Sequence, residues 1–242
     1  MLTYLKIFLI AVYTVTCSIF AIIFALADRS FSLYFILQKI FSRGVLKIAG
    51  LKAVVSGKEN IQSDKLYVFC SNHSSLFDIV VLQAFLPKRM SMVYKKELHK
   101  IPLFGWQLAF GPYIVIDRKN AEKALGSIEK AKMMMEKKRI SILVYPEGTR
   151  SKTGEILPFK RGAFNLAGKV GHPVVPVTIT GTDKIMPKGT FRLEPGTIYL
   201  HIDKPIDVVD VRSRKDEIDL MNKVREIIVS NHAKKKAELN KW

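Results

Sequence analysis

The chain runs Leu66-Tyr67-Val68-Phe69-Cys70-Ser71 and continues Asn72-His73-Ser74-Ser75-Leu76-Phe77-Asp78. Its apolar first part is typical of a buried strand, so His73 is expected where that strand gives way to a helix. Asp78 follows five positions later, about one helical turn on, within reach of the His73 imidazole. A histidine held by a carboxylate is a general base for an alcohol. The stretch therefore predicts removal of a proton from a hydroxyl group.

Short apolar runs alternate with helix-like stretches along the rest of the chain. Such alternation predicts an α/β fold with a mostly parallel central sheet flanked by helices. One run contains Pro176, which cannot donate to a ladder; the default expectation is a sheet edge, with a bulge or a ligand-facing wall as alternatives. Seven runs are expected to be strands, at residues 52–55, 66–70, 90–94, 113–116, 140–145, 174–180 and 197–202.

Functional residues of parallel sheets gather at the carboxyl ends of the strands. His73, Arg118 and Glu147 each come just after a predicted strand, so three segments are expected to converge on one site. The planar guanidinium of Arg118 is suited to grip a phosphate through two hydrogen bonds. A surface salt bridge is the alternative interpretation of this arginine.

The loop Tyr145-Pro146-Glu147-Gly148-Thr149-Arg150-Ser151 has a composition that suits a phosphate ester. Gly148 permits close backbone approach, Thr149 adds a hydroxyl donor and Arg150 adds a fixed positive charge. Glu147 would repel an anion, so we expect it to orient one of the two arginines. An ordinary turn is the alternative, because the composition is also turn-like.

Two basic residues, Lys160 and Arg161, precede a predicted helix that runs to about Lys169. Positive charge at a helix N-terminus opposes the helix dipole unless an anion is bound there. A bound phosphate would remove this conflict, which makes Lys160 a further candidate for substrate binding.

The N-terminal region differs in kind from the rest of the chain. No charged residue occurs from Ile7 to Ala27, a run of 21 residues. At about 1.5 Å per residue, a helix of this length matches the hydrocarbon core of a bilayer. We therefore predict insertion in a membrane, with a buried core helix as the alternative.

A second N-terminal segment, residues 31–51, is expected to be an amphipathic helix. Lys39, Arg43 and Lys47 recur every four residues among apolar ones, as in helices that lie in the membrane interface. Packing on the protein's own core is the alternative. The prediction is thus membrane-embedded or interfacial helices in residues 1–50 and one α/β domain in residues 51–242.

The net charge of +18 predicts an acidic partner: nucleic acid, an anionic membrane or a phosphorylated substrate. The apolar N-terminal segment favours lipid phosphates over nucleic acid. Two cysteines without a Cys-x-x-Cys motif indicate a reducing compartment, and the scattered histidines do not predict a metal site. If the first helix spans the membrane, the Lys/Arg excess after it places the main domain on the cytoplasmic side of that membrane.

Four segments resemble, in order, the motifs of the lysophospholipid acyltransferase family, and most closely those of PlsC-type 1-acylglycerol-3-phosphate acyltransferases. The first motif, Asn-His-x4-Asp, matches Asn72, His73 and Asp78; the second ends in an arginine, matched by Arg118. The third matches residues 146–151, with Tyr145 in place of the usual Phe, and the fourth matches residues 175–177. The segments at 95–98, which begins with Lys95, and 101–106 resemble the region between the first two motifs.

The resemblance implies that His73 removes the proton from the 2-hydroxyl of lysophosphatidate while Asp78 steadies the imidazole. The alkoxide would attack the thioester of acyl-CoA or acyl carrier protein directly, with the bilayer as the surrounding partner. Neither a cofactor nor a metal is expected. The implied substrate-binding residues are Arg118, Glu147, Gly148, Thr149, Arg150, Lys95 and Lys160.

Other interpretations stay open at this point. Within the enzyme class, glycerol 3-phosphate, lyso-ornithine lipid or another lysophospholipid could be the acceptor. A serine hydrolase would use Ser74 or Ser75, but a Gly-x-Ser-x-Gly elbow is missing from the sequence. A basic module that binds membrane surfaces or nucleic acid would explain the charge, but not the His73/Asp78 pair.

Overall fold

The structure, a computed structural model, describes residues 2–116, 121–190, 192–208 and 210–239. For Lys95, Ile116 and residues 121–125 it describes the backbone but not the side chains. The strands are β1 (Lys52–Ser56), β2 (Val68–Ser71), β3 (Met90–Lys95), β4 (Ile114–Ile116), β5 (Ser141–Val144), β6 (Val174–Thr180) and β7 (Thr197–Ile202). The α-helices are α1 (Leu2–Ala27), α2 (Ser32–Ala49), α3 (Phe77–Phe85), α4 (Phe104–Phe110), α5 (Ala121–Glu136), α6 (Gly162–Val170), α7 (Thr182–Ile185) and α8 (Arg214–Leu239).

The strands form one sheet in the order β1-β7-β6-β2-β5-β3-β4. Every neighbouring pair is parallel except β6 and β7, which are antiparallel. The predicted α/β fold with a mostly parallel seven-stranded sheet is therefore confirmed. β2 lies between β6 and β5, so the end of β2 is flanked by the ends of two parallel neighbours.

Pro176 lies in the interior of the sheet, so the default expectation of an edge strand was wrong. β6 is hydrogen-bonded to β7 on one side and to β2 on the other. The Pro176 carbonyl accepts the N–H of Asp203 at 3.0 Å, and Asp203 is the first residue after β7. The missing proline N–H thus falls where the ladder with β7 ends, and only one ladder hydrogen bond is lost.

Side chains alternate between the two faces of the sheet along each strand. On one face, Phe69 and Val175 pack with residues of α1 to α4, including Tyr34. On the other face, Val68 packs with residues of α5, α6 and α8, including Phe164. The central strands are buried on both faces, which explains their continuous apolar sequences.

The first helix, α1, is long and apolar enough to cross a membrane by length and composition. Most of its large apolar side chains are exposed, whereas the small residues Ala21 and Ala25 pack into the core beneath. α1 and α2 therefore contribute to the same core as one face of the sheet. The division into residues 1–50 and 51–242 as membrane helices and catalytic domain stays a prediction.

Candidate active site

Four parallel strands end at one edge of the sheet, and the motif residues follow them there. His73 comes two residues after β2, and Glu147 comes three residues after β5. Thr182 comes two residues after β6, and Lys95 closes β3. The sheet topology therefore brings together chain segments that are far apart in sequence, as the rule for parallel sheets predicts.

His73 and Asp78 are in contact, as predicted. Nδ1 of the imidazole lies 2.8 Å from Oδ2 of Asp78. Asp78 is fully buried in the first turn of α3, whereas the His73 side chain is 13% exposed. Because Nδ1–H donates to the carboxylate, the lone pair of the neutral ring is on Nε2. The pair thus has the geometry of a general base held by a carboxylate.

Three further donors hold the Asp78 carboxylate. The backbone N–H groups of Ser74 and Ser75 donate to Oδ2 at 2.7 and 2.8 Å, and the hydroxyl of Thr182 donates to Oδ1. Such donors compensate a buried carboxylate for lost hydration. The sequence analysis missed Thr182. The signal available in the sequence was Gly181 directly after a predicted buried strand, and in the structure this glycine has a φ of 100°.

The polar residues beside His73 have structural partners. Asn72 exchanges two hydrogen bonds of 2.9 Å with the backbone of β6, which joins the ends of the two strands. The Ser75 hydroxyl donates to a backbone carbonyl at 2.9 Å, and the Ser74 hydroxyl lies 3.0 Å from that of Thr182. Both serines thus have positioning contacts, which disfavours the alternative in which His73 activates one of them as a nucleophile.

The loop of residues 145–151 holds the backbone of His73 on both sides. The His73 N–H donates to Oε1 of Glu147 at 2.7 Å, and the His73 carbonyl accepts the N–H of Ser151 at 2.8 Å. The other Glu147 oxygen accepts the N–H of Leu157 at 2.9 Å. The first and third motifs therefore form one hydrogen-bonded unit.

Glu147 binds backbone N–H groups instead of an arginine side chain. The expectation that Glu147 orients an arginine was therefore wrong for Arg150, while Arg118 lies outside the described residues. The Glu147 side chain is buried, and both of its oxygens accept backbone N–H groups. Burial raises the pKa of Glu147 to about 7, although the N–H donors of Leu157 and His73 lower it. In the part of the chain that the structure describes, Glu147 and Arg150 form no ion pair. A carboxyl group partly protonated at neutral pH is also a weak partner for a cation.

The raised pKa of Glu147 predicts that stability depends on pH. Its ordinary value is 4.5 and its value in the fold is about 7, so between these values the folded protein holds a proton that the unfolded chain releases. This carboxyl group therefore lowers the free energy of unfolding as the pH rises from 4.5 to 7, with no further change above. Melting temperatures measured across this range should decline more steeply for the native protein than for Glu147→Gln. Equal slopes would contradict the assignment.

Tyr145 stacks on the catalytic histidine candidate. The ring centroids of Tyr145 and His73 are 4.0 Å apart with an interplanar angle of 17°. The Tyr145 hydroxyl is buried and finds no hydrogen-bond partner among the residues that the structure describes. Burial, and next the charge of Asp78, raise the pKa of Tyr145 well above its ordinary value. The ring therefore packs against the imidazole, while the neutral hydroxyl adds an unsatisfied polar group.

Replacing Tyr145 by Phe should leave activity nearly unchanged and stabilise the protein. The substitution keeps the ring on His73 and removes a buried hydroxyl that costs about 1–3 kcal/mol when unpaired. Chemical denaturation and steady-state kinetics would measure both effects. Tyr145→Ala is the control, because it removes the ring and should lower both stability and rate. A large loss of rate in Tyr145→Phe at unchanged stability would show instead that the hydroxyl takes part in the reaction.

The loop that holds the His73 backbone also carries a cationic residue, Arg150. Gly148 has a φ of 72°, in the left-handed region that favours glycine, and so forms the turn before Thr149 and Arg150. Lys188 donates from Nζ to the Arg150 carbonyl at 2.7 Å and to Thr149 Oγ1 at 3.1 Å. Arg150 directly precedes Ser151, whose N–H donates to the carbonyl of His73. Lys188 could not be expected from the sequence, because it lies 38 residues beyond Arg150 in a Pro-Lys-Gly segment that indicates only a turn.

Lys160 and Arg161 precede α6 as predicted, but the expected anion has a different source. Arg161 forms an ion pair with Glu217 of α8, so a side chain of the protein offsets the charge at the helix N-terminus. A bound phosphate is no longer required by this pair. Lys160 is exposed, and its N–H donates to the carbonyl of Pro146 at 2.9 Å. Its backbone thus lies next to the loop of the third motif.

Two predicted substrate-binding residues lie outside what the structure describes. Arg118 belongs to the undescribed residues 117–120, which follow β4. The Lys95 side chain is likewise not described, although its backbone closes β3 at the edge that carries His73. The roles of Arg118 and Lys95 stay predictions.

Comparison with known proteins identifies the family. A sequence model of the acyltransferase family matches residues 52–180, more than half of the chain. The chain belongs to the acyltransferase family. The matched region includes the four motif segments, so the family resemblance found in the sequence is confirmed.

Proteins similar to this acyltransferase-family chain carry a common name. A 1-acyl-sn-glycerol-3-phosphate acyltransferase of Cocos nucifera is 34% identical over 176 residues, which cover 73% of this chain and 56% of that protein. The protein of that name from Saccharomyces cerevisiae is 31% identical over 235 residues, covering 94% and 77%. The chain thus spans little more than half the length of the Cocos protein.

A solved structure shares the whole fold. The crystal structure of the 1-acyl-sn-glycerophosphate (LPA) acyltransferase PlsC from Thermotoga maritima matches with a TM-score of 0.83 at 29% identity. The match covers 98% of this acyltransferase-family chain and 95% of the Thermotoga chain. The similarity therefore includes α1 and α2 as well as the α/β part.

Proposed function

We propose that the protein transfers an acyl group from a thioester to the sn-2 hydroxyl of 1-acyl-sn-glycerol 3-phosphate, giving phosphatidate for phospholipid biosynthesis. One observation carries this proposal: the His73–Asp78 pair is hydrogen-bonded through its backbone to the loop that presents Arg150. A base beside a fixed cation suits an acceptor whose hydroxyl lies near a phosphate. The names of the Cocos, Saccharomyces and Thermotoga proteins support the same acceptor.

In the proposed reaction, Nε2 of His73 accepts the hydroxyl proton as the acceptor oxygen attacks the thioester carbonyl carbon. The Asp78 carboxylate stabilises the imidazolium that results. When the tetrahedral intermediate collapses, its carbon–sulfur bond breaks and the thiolate leaves. The thiolate takes the proton from the imidazolium, so a free thiol departs and His73 returns to its neutral form. The acyl group passes directly to the acceptor without an acyl-enzyme.

We assign the acceptor phosphate to the cationic side of the loop. Arg150 supplies a charge-assisted hydrogen bond to the phosphate. Lys188 donates to the Thr149 hydroxyl and to the Arg150 carbonyl, so it adds a second positive charge on this side of the loop. Arg118 is proposed as a second phosphate ligand on the family resemblance. The thioester comes from acyl-CoA or acyl carrier protein as a co-substrate, and no resident cofactor is proposed.

The bilayer is the proposed partner, with the protein at the inner membrane and its α/β part on the cytoplasmic side. α1 exposes large apolar side chains, and α4 packs against α1 and continues this apolar surface with Trp106 and Phe110, each about half exposed. An exposed apolar surface of this extent is typical of a lipid-facing region. A lysophospholipid acceptor resides in the same bilayer, so this placement supplies substrate without passage through water.

The direct test is incubation of purified protein in detergent with lysophosphatidate and acyl-CoA, followed by quantification of phosphatidate. Parallel reactions replace the donor by acyl carrier protein thioester and the acceptor by glycerol 3-phosphate or another lysophospholipid. Preferential formation of phosphatidate is expected. Free fatty acid formed at the same rate without an acceptor would identify a thioester hydrolase and overturn the proposal.

Replacing Arg150 by Ala should weaken binding of the acceptor rather than slow the chemical step. Loss of a charge-assisted hydrogen bond costs about 1.5–3 kcal/mol, so the KM for lysophosphatidate should rise roughly tenfold to a hundredfold. The KM for acyl-CoA should change little. Lys152→Ala, an exposed cation two residues away, is the matched control and should leave both constants near their original values. A raised donor KM at unchanged acceptor KM would reassign Arg150 to the donor.

A further inference from the structure

A basic pocket lies at the edge of the sheet opposite to His73. β3 and β5 begin beside this pocket, whereas His73 follows the carboxyl end of β2. The length of the sheet therefore separates the pocket from the active-site candidate. The pocket is open, has a volume of about 260 Å³, and is lined by Arg29, Ser30, Arg89, Lys137 and Lys138.

Two of its cations are held in place. The guanidinium of Arg89 donates to Ser32 Oγ at 2.9 Å and lies 5.9 Å from the ring centroid of Phe35. The ammonium of Lys138 donates to the Arg29 carbonyl at 2.8 Å and lies 5.9 Å from the ring centroid of Phe31. Each cation thus keeps further N–H donors for a ligand while its position is already fixed.

The pocket has an excess of positive charge. Its four cationic side chains form no ion pair with an acidic residue within the described ranges. Two carboxylates adjoin the lining residues in sequence. Asp28 accepts hydrogen bonds from Ser30 N–H, Ser30 hydroxyl and Leu33 N–H at 2.8, 2.6 and 3.0 Å, and Glu136, which precedes Lys137, is exposed. Four neighbouring positive charges repel one another unless an anion lies between them. A phosphate group has the charge and the acceptors that this arrangement requires.

The pocket borders the apolar surface of the helix pair. Arg29 and Ser30 form the turn between α1 and α2. Just before this turn α1 exposes Ile23 and Leu26, and just after it α2 exposes Leu33. We propose that this pocket binds the phosphate of an anionic phospholipid headgroup, an inference that rests on the membrane association in the proposed function. Cations at the boundary between apolar and aqueous surface occupy the level of lipid phosphates.

Calorimetric titration of the full chain in a neutral detergent tests this site. The probes are dihexanoyl phosphatidylglycerol, dihexanoyl phosphatidylcholine and inorganic phosphate. Arg89→Gln/Lys138→Gln removes two pocket charges. Lys215→Gln/Lys234→Gln is the charge-matched control, since both lysines are exposed on α8, on the opposite face of the sheet from the helix pair. The native protein and the control should bind the phosphatidylglycerol alike, and the pocket variant should bind it at least about tenfold more weakly.

Each other outcome overturns the proposal. Equal weakening in the pocket variant and the control would indicate unspecific charge. Phosphatidylcholine bound as tightly as phosphatidylglycerol would remove the preference for an anionic headgroup. Inorganic phosphate bound as tightly as the lipid would make the ligand a free phosphate. If the double variant fails to fold, the single Lys138→Gln variant keeps the Arg89–Ser32 bond and should still weaken lipid binding several-fold.

An assay of acyl transfer in detergent distinguishes a failure of this inference from a failure of the proposed function. The pocket variant should keep its turnover in detergent, because its two substitutions lie at the edge of the sheet away from His73. Loss of lipid binding with normal formation of phosphatidate supports the pocket without involving catalysis. If the native protein forms no phosphatidate, the proposed function fails while the calorimetric result keeps its meaning.

Discussion

Replacing His73 by Ala is expected to lower the turnover number for acyl transfer by roughly 10²- to 10⁴-fold, the usual contribution of a positioned general base. Nε2 of this ring is the proposed proton acceptor, and alanine leaves the acceptor hydroxyl without one. The fold should persist, because the backbone N–H and carbonyl of His73 keep their bonds to Glu147 and Ser151. Steady-state kinetics would measure the loss, and thermal unfolding would check the fold.

Near-normal turnover by His73→Ala would contradict the mechanism. Detergent extraction and vesicle binding provide the control, since neither depends on the imidazole. A variant that lost both membrane association and activity would indicate a damaged fold, and its rate would then carry no information about the base.

The second large effect is expected for Asp78→Asn, with a tenfold to thousandfold loss of turnover. Asparagine can place its oxygen where Oδ2 accepts from His73, Ser74 and Ser75, and its amide can donate to Thr182. The hydrogen bonds are therefore retained, while the charge that stabilises the imidazolium is lost. An adjacent opposite charge changes the stability of a charged group by this order of magnitude.

Asp78→Ala separates the charge from the hydrogen bonds. It leaves the buried N–H groups of Ser74 and Ser75 without an acceptor, at a cost of about 1–3 kcal/mol each, so stability should fall together with rate. The double variant His73→Ala/Asp78→Asn should be no slower than His73→Ala, because Asp78 acts through the ring. A double variant slower by the product of the single effects would show that Asp78 acts independently of His73.

Much of the fold was accessible from the sequence because its signals are local. All seven strands were expected within a few residues of their observed positions, since central parallel strands have continuous apolar sequences that turn residues interrupt. Pro176 shows where a local rule fails. Whether a missing N–H disrupts a sheet depends on where the neighbouring strand ends, and the apolar runs do not show where the pairing of β7 with β6 stops.

The same distinction between local and long-range contacts applies to the candidate site. The His73–Asp78 contact spans five residues and follows from helix geometry, so the spacing predicted it. Thr182 reaches Asp78 across 104 residues, and Glu147 reaches His73 across 74. Such partners depend on sheet order, which the pattern of apolar runs does not determine. For the same reason the sequence suggested an arginine as the partner of Glu147, where the structure has backbone N–H groups.

The two hydrogen bonds that clamp the peptide of His73 to Glu147 and Ser151 have a consequence for selectivity. The peptide backbone of His73 cannot shift without the turn that bears Arg150, so the backbones of these two residues keep one separation. We expect that an acceptor whose hydroxyl and phosphate are separated by more or fewer bonds than in a glycerol phosphate cannot contact both His73 and Arg150 at once. Selectivity among headgroups would then depend on the distance between the hydroxyl and the phosphate of the acceptor, and not on the number of carbons in its acyl chain.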